Sequence, residues 1–198
     1  MTRRLVPICL LPALALVLGG CFFEPREPET PSSGSIQYLP RASAANVWEN
    51  CRLALINKDV GGWDTNVSEA FIYIPDSDTR SAFPAVDWDN WGKESEMTFI
   101  SRWFATDVTI RADLLDVAIS TPDGAGGVAE WDLIYLINVT DNADGSVTRY
   151  RGRAVIEFNI PATYWYVNFW RDEQGEQDPE NPDATLETMG RLRGAFAP

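Results

Sequence analysis

Between residues 44 and 171 the spacing of apolar positions switches from helical to alternating, back to helical, and then to a long alternating stretch. Val47, Cys51, Ala54 and Leu55 recur at helical spacing behind Ser43, a good N-cap residue, and predict a helix over 44–58 that stops at Asn57-Lys58-Asp59. A turn or short helix is expected through 63–67. From 69 to 75, Phe71 and Tyr73 alternate against Ile72 and Ile74, the period of a half-buried strand. Residues 76–91 are rich in Asp, Ser and Pro and read as a long loop carrying Trp88 and Trp91. Helical spacing returns over 93–104, with Met97, Ile100, Trp103 and Phe104 as the inward side. Four long strands follow at 108–120, 129–140, 146–160 and 164–171, joined as hairpins by turn-forming residues at 122–127 and 141–145. Residues 172–198 are acidic, then Gly- and Arg-bearing, and read as irregular.

Helices, a strand, a helix and then a strand meander specify an α+β domain with helices on one face of an antiparallel sheet. Strands of this length force the sheet to twist and bend, and a bent sheet closed by helices makes a cone whose open end is a natural pocket. Several segments resemble the NTF2-like superfamily, also called SnoaL-like. Leu53-Ala54-Leu55-Ile56-Asn57-Lys58-Asp59 resembles the end of its first helix, and Ser68-Glu69-Ala70-Phe71-Ile72-Tyr73-Ile74-Pro75 its first strand. Trp91-Gly92-Lys93-Glu94-Ser95-Glu96 is similar to the start of its third helix, and Gly152-Arg153-Ala154-Val155-Ile156-Glu157-Phe158 to its penultimate strand. Trp165-Tyr166-Val167-Asn168-Phe169-Trp170-Arg171-Asp172 looks like its last strand. The resemblance covers about residues 44–172 and implies a strongly curved antiparallel sheet with N-terminal helices on its concave face. It extends to uncharacterised bacterial lipoproteins that carry such a domain behind a Pro-rich tether, a subgroup that brings no known activity with it.

The superfamily includes enzymes and binding modules alike, so the catalytic positions matter more than the fold. Counted by the pattern of ketosteroid isomerase, the acid tyrosine falls on Cys51, the general-base aspartate on Ile74 and the second oxyanion-hole acid near Gly152. All three roles are vacant. Histidine is absent from the whole chain, which excludes the His-Asp pair of scytalone dehydratase, Ser-His or Cys-His nucleophiles and His-ligated zinc.

The leader supplies an address. Arg3 and Arg4 precede an apolar stretch, Leu5 to Leu18, that is short for a membrane span, and Leu18-Gly19-Gly20-Cys21 follows. This resembles a lipoprotein signal, with residues 1–20 removed and Cys21 acylated as the first mature residue. Residues 21–42 then read as the lipidated cysteine and a Pro-rich tether, and 43–198 as one domain. Phe22, in place of an inner-membrane-retaining Asp, points to the periplasmic leaflet of the outer membrane where the source has two membranes. Only Arg3 and Arg4 are charged in the leader, so cleavage leaves 14 basic and 29 acidic side chains, a formal charge of −15. Such a surface argues against nucleic acid and leaves the lipid on Cys21 as the membrane attachment. Cys51 then has no intrachain disulfide partner and reads as a small buried hydrophobe.

Pocket candidates are Phe71, Tyr73, Trp91, Trp103, Tyr135 and Trp165, suited to a small hydrophobic or sugar ligand. Glu94 is the candidate pocket acid for the competing reading, a lyase, isomerase or hydrolase using Tyr73 or Tyr135. The pair Trp88 and Trp91 reads either as an aromatic platform over the cone's mouth or as a hydrophobic plug. Arg149, Arg151 and Arg153 share one strand face, solvated or covered by a second copy in a homodimer. No cofactor and no metal are expected: Asp76-Ser77-Asp78 and Asp87-Trp88-Asp89 lack EF-hand spacing, and Asp141 to Gly145 is a hairpin turn.

Overall fold

The computed structural model describes residues 36–121 and 127–198. The leader, Cys21, most of the tether and the 122–126 turn lie outside the described residues. Among the described residues no helix is long and apolar enough to cross a membrane.

Helix α1 spans Ala44–Asn57, with the Ser43 side chain accepting from Asn46 N–H as its N-cap, and α2 spans Val60–Asn66. The predicted stripe is buried: Val47, Cys51, Ala54 and Leu55 are joined by Ala44, Trp48 and Asn50. Strand β1, Val67–Ile74, buries Phe71 and Tyr73 and leaves Ile72 exposed, as the alternation requires. The segment 76–91 is more ordered than its composition suggests. Asp76 accepts from Thr79 N–H and so starts α3, Ser77–Ala82; a 3₁₀ turn at Trp88–Asn90 follows.

Helix α4 runs Lys93–Phe104. Its buried side is Glu96, Phe99, Ile100, Trp103 and Phe104; Met97 is only half-buried, so the inward face is rotated from the predicted one. Strands β2 (Val108–Thr121), β3 (Val128–Asp141), β4 (Val147–Asn159) and β5 (Tyr166–Gly175) form the meander. The sheet order is β1-β5-β4-β3-β2. Irregularities in register interrupt the β2–β3 and β4–β5 pairs, the device by which long strands bend. The β1–β5 pair is parallel, a correction to the all-antiparallel expectation: the chain between them crosses the sheet through α3, α4 and three strands, which is the long connection that parallel pairing needs.

The segment after Asp172 is not irregular. Strand β5 continues to Gly175, residues 176–187 turn back beside the first half of β4, and Gly190–Ala195 forms α5. Arg151 N–H donates to Glu187 O and Glu176 N–H to Arg151 O, each at 2.9 Å. The arginine row of β4 is engaged by this returning segment. Arg149 pairs with Asp178 and Glu180, Arg151 donates to the Gln177 carbonyl, and Arg153 reaches Glu176 and, across the strand pair, Asp132. Gly175 makes the reversal sterically feasible, because a Cβ there would overlap the Leu186 carbonyl. Gly175→Ala is therefore expected to detach residues 176–187 while leaving the sheet folded. The check is backbone hydrogen exchange, with faster exchange at Arg151 and Leu186 and unchanged protection in β3; unchanged exchange at Leu186 would show that the reversal tolerates a side chain.

Candidate functional site

All eight tryptophans lie in one core with Tyr73 and Tyr135, and the polar groups at the centre of the cone form two linked clusters. The first is built by three strands. Tyr73 on β1, Tyr135 on β3 and Asp172 on β5 point inward because their neighbours two residues away, Phe71, Leu133, Ile137 and Trp170, are core residues. Tyr73 Oη donates to Asp172 Oδ2 at 2.7 Å; Tyr135 Oη and Trp170 Nε1 each donate to Oδ1 at 2.9 Å. Tyr135 Oη in turn accepts from Met189 N–H at 2.7 Å. Burial pushes the Asp172 carboxyl above the ordinary carboxylate range, against the pull of Arg193 and the three donors. Both tyrosines are pushed well above theirs, first by burial and then by the charge of Asp172.

The second cluster joins α4 to α5. Glu96 and Arg193 are both 0% exposed, and they meet as a fork: Arg193 Nε to Glu96 Oε2 and Nη2 to Oε1, both at 2.8 Å. Trp91 Nε1 adds a third bond to Glu96 Oε2 at 3.0 Å. The Arg193 guanidinium carbon lies 4.1 Å from the Tyr73 ring centroid, 4.8 Å from that of Trp170 and 5.5 Å from that of Phe99. Burial alone would lower the guanidinium's proton affinity, but Glu96 outweighs it and holds the group above its ordinary range. Arg193 is thus a fixed cation between two buried carboxylates.

No family model matches the sequence, and no curated protein matches it. Among solved structures, the chain is similar to a candidate aromatic-ring hydroxylase from Novosphingobium aromaticivorans, with a TM-score of 0.54 and 12% identity over 80% of this chain and 99% of that one. It is also similar to a candidate calcium/calmodulin-dependent protein kinase II association domain from Xanthomonas campestris, with a TM-score of 0.50 and 10% identity over 70% and 96%. An NTF2-like protein of unknown function in nutrient uptake from Rhodospirillum rubrum aligns at a TM-score of 0.48 and 12% identity over 65% and 95%. The chain has the NTF2-like fold. At these identities the likeness speaks to architecture alone.

Within the NTF2-like cone, three of the six pocket candidates, Tyr73, Trp91 and Tyr135, are brought to the two clusters. Trp103 lies one layer away, stacked on Phe99 with centroids 5.6 Å apart, while Phe71 and Trp165 are buried without a hydrogen bond to either cluster. Trp88 and Trp91 form a plug rather than a platform: they stack at 5.0 Å, are buried, and donate to Phe83 O and Glu96 respectively. Glu94 is displaced from its candidate role. It is exposed in the first turn of α4, and the acids of the interior are Glu96, half a turn further on, and Asp172.

The three positions matched to isomerase roles carry no catalytic group. Cys51 is a buried thiol whose pKa is raised by burial and by the nearby Glu96. Ile74 is half-buried, and Gly152 lies opposite Tyr135 in the β3–β4 register. A Cβ at Gly152 would come within 2.6 Å of Tyr135 Oη, so the missing side chain is what lets the tyrosine lie across β4. Asp172 and Glu96 had signals in the sequence: Asp172 alternates with Trp170, and Glu96 falls on the stripe of Phe99, Ile100 and Trp103. Arg193 had none, since its partner is 97 residues away.

Proposed function

We propose that the chain is a lipid-anchored protein of the bacterial cell envelope whose NTF2-like domain binds a small molecule, a peptide or an envelope partner without catalysing a reaction. One observation carries the non-catalytic part: the carboxylates and hydroxyls at the centre of the cone are already bonded to one another and to the chain's own Met189 and Arg193. A general acid or base must reach its substrate, and these groups are bonded internally. A cleft of about 560 Å³ lies outside the cone, between Tyr38–Arg41, α2 and Tyr164, and falls in the size range of small-molecule sites, roughly 300–1,000 Å³. Its lining presents the aromatic faces of Tyr38 and Tyr164, on which a sugar or peptide could pack, while Asn50, Asn66 and Asp59 in its wall are bonded to Leu39, Gly62 and Tyr38.

The filled cone also favours a second reading, a structural domain that pairs through its sheet. The two readings separate by native mass spectrometry of the domain purified from its source: a retained ligand supports binding, and a ligand-free dimer supports the structural role. The anchor rests on the resemblance of residues 1–21 to a lipoprotein signal. Cys21→Ala is expected to move the protein from the membrane to the soluble fraction and to abolish incorporation of labelled fatty acid. Continued membrane association with no label in the unsubstituted chain would remove the anchor from this account.

A further inference from the structure

The walls and the occupant of the inner cage come from different parts of the chain. Tyr73 is on β1, Trp170 and Asp172 are on β5, and Phe99 and Glu96 are on α4; the guanidinium alone arrives with the segment that returns after Gly175. The chemistry of the walls is specific to that group. The two oxygens of Glu96 match the planar fork of Nε and Nη2, three aromatic rings face the delocalised cation, and Asp172 supplies a second negative charge nearby. An ammonium group is more strongly hydrated and cannot make the fork or stack flat on a ring, so the cage distinguishes the two cations. The third nitrogen, Nη1, is buried and makes no hydrogen bond among the described residues, so the fork to Glu96 and the three rings are what hold the group.

We propose that the cone is a recognition site for an alkylguanidinium group and that Arg193 occupies it as a tethered ligand. This goes beyond the binding reading, whose cleft lies outside the cone, by naming a ligand chemistry for the cone interior. Tethering gives Arg193 a high effective concentration, on the order of millimolar or above, so a free guanidinium compound binds measurably only when the side chain is removed.

The test is chemical complementation in the otherwise complete chain. Arg193→Ala is titrated with ethylguanidinium up to about 10 mM, far below denaturing concentrations, and followed by thermal unfolding, with ethylammonium and sodium as controls. The expected result is a saturable rise in melting temperature with ethylguanidinium, at least about tenfold weaker apparent binding of ethylammonium, no response in the unsubstituted protein, and loss of the effect in Arg193→Ala/Glu96→Gln. If Arg193→Ala does not fold alone, the yield of folded protein on refolding with each cation replaces the melting temperature as the readout. No gain in stability or yield, an equal gain from ethylammonium, or a gain that survives Glu96→Gln would overturn the proposal. Such a failure leaves the results on Cys21 and the retained ligand untouched, so the two readings fail separately.

Discussion

Replacing Arg193 by methionine is expected to destabilise the domain by about 3–5 kcal/mol, the cost of stranding a buried carboxylate without its counter-charge. Glu96 is fully buried, and after the substitution it keeps only the bond from Trp91 Nε1. Methionine fills much of the space of the arginine stem, so the effect reports the lost charge and fork more than a cavity. The double variant Glu96→Gln/Arg193→Met is expected to recover part of the loss, because a buried pair removed together leaves no orphan charge. Denaturant unfolding of the three variants and the parent gives the coupling directly. A loss within about 0.5 kcal/mol for Arg193→Met would place that side chain at the surface.

Asp172→Ala is the second large effect. It orphans three buried donors, Tyr73 Oη, Tyr135 Oη and Trp170 Nε1, and each unmet donor costs about 1–3 kcal/mol. These donors share one partner and do not add simply, so the expected loss is more than about 3 kcal/mol. Asp172→Asn keeps an acceptor and is expected to cost less. The pair also has a pH signature. Burial raises the Asp172 carboxyl in the folded state, so the folded chain holds that proton more tightly than the unfolded chain does. Its contribution is therefore most favourable below the ordinary carboxylate range, about pH 4, and declines as pH rises through the raised folded value. The stability of the parent relative to Asp172→Asn should accordingly fall between acid and neutral pH in urea unfolding; a difference that grows with pH would show that the donors and Arg193 outweigh burial.

The elements that depend on local pattern were legible in the sequence. Ser43 and the stripe through Val47, Cys51, Ala54 and Leu55 locate α1, and the alternation around Phe71 and Tyr73 sets β1 with the correct face inward. The long strands announced a bent sheet, and their order with the helices resembled the NTF2-like fold that the structure has. What failed was long-range. The parallel β1–β5 pair joins residues roughly a hundred positions apart, and neither strand's pattern encodes the direction of its partner. Glu96 shares the first turn of α4 with Glu94, a place where a charge needs no burial, and its buried partner Arg193 lies 97 residues away. The segment after Asp172 has the composition of a loop because its order comes from backbone bonds to β4 and from one buried guanidinium, not from an apolar period of its own.

The same long-range pairing underlies the proposed non-catalytic reading. A cone open to solvent, with Tyr73, Tyr135 and Asp172 lining it, would hold the makings of acid–base chemistry; a cone filled by Met189 and Arg193 holds a closed network. The most direct test is side-chain hydrogen exchange at the Arg193 guanidinium, read from its Nε–H signal in the isotope-labelled protein. With Nε bonded to Glu96 Oε2 and no exposure to solvent, that proton should exchange many orders of magnitude more slowly than those of exposed arginines such as Arg111, at a rate set by unfolding. Exchange of Arg193 Nε–H as fast as that of Arg111 would contradict the account, because the cone would then be open.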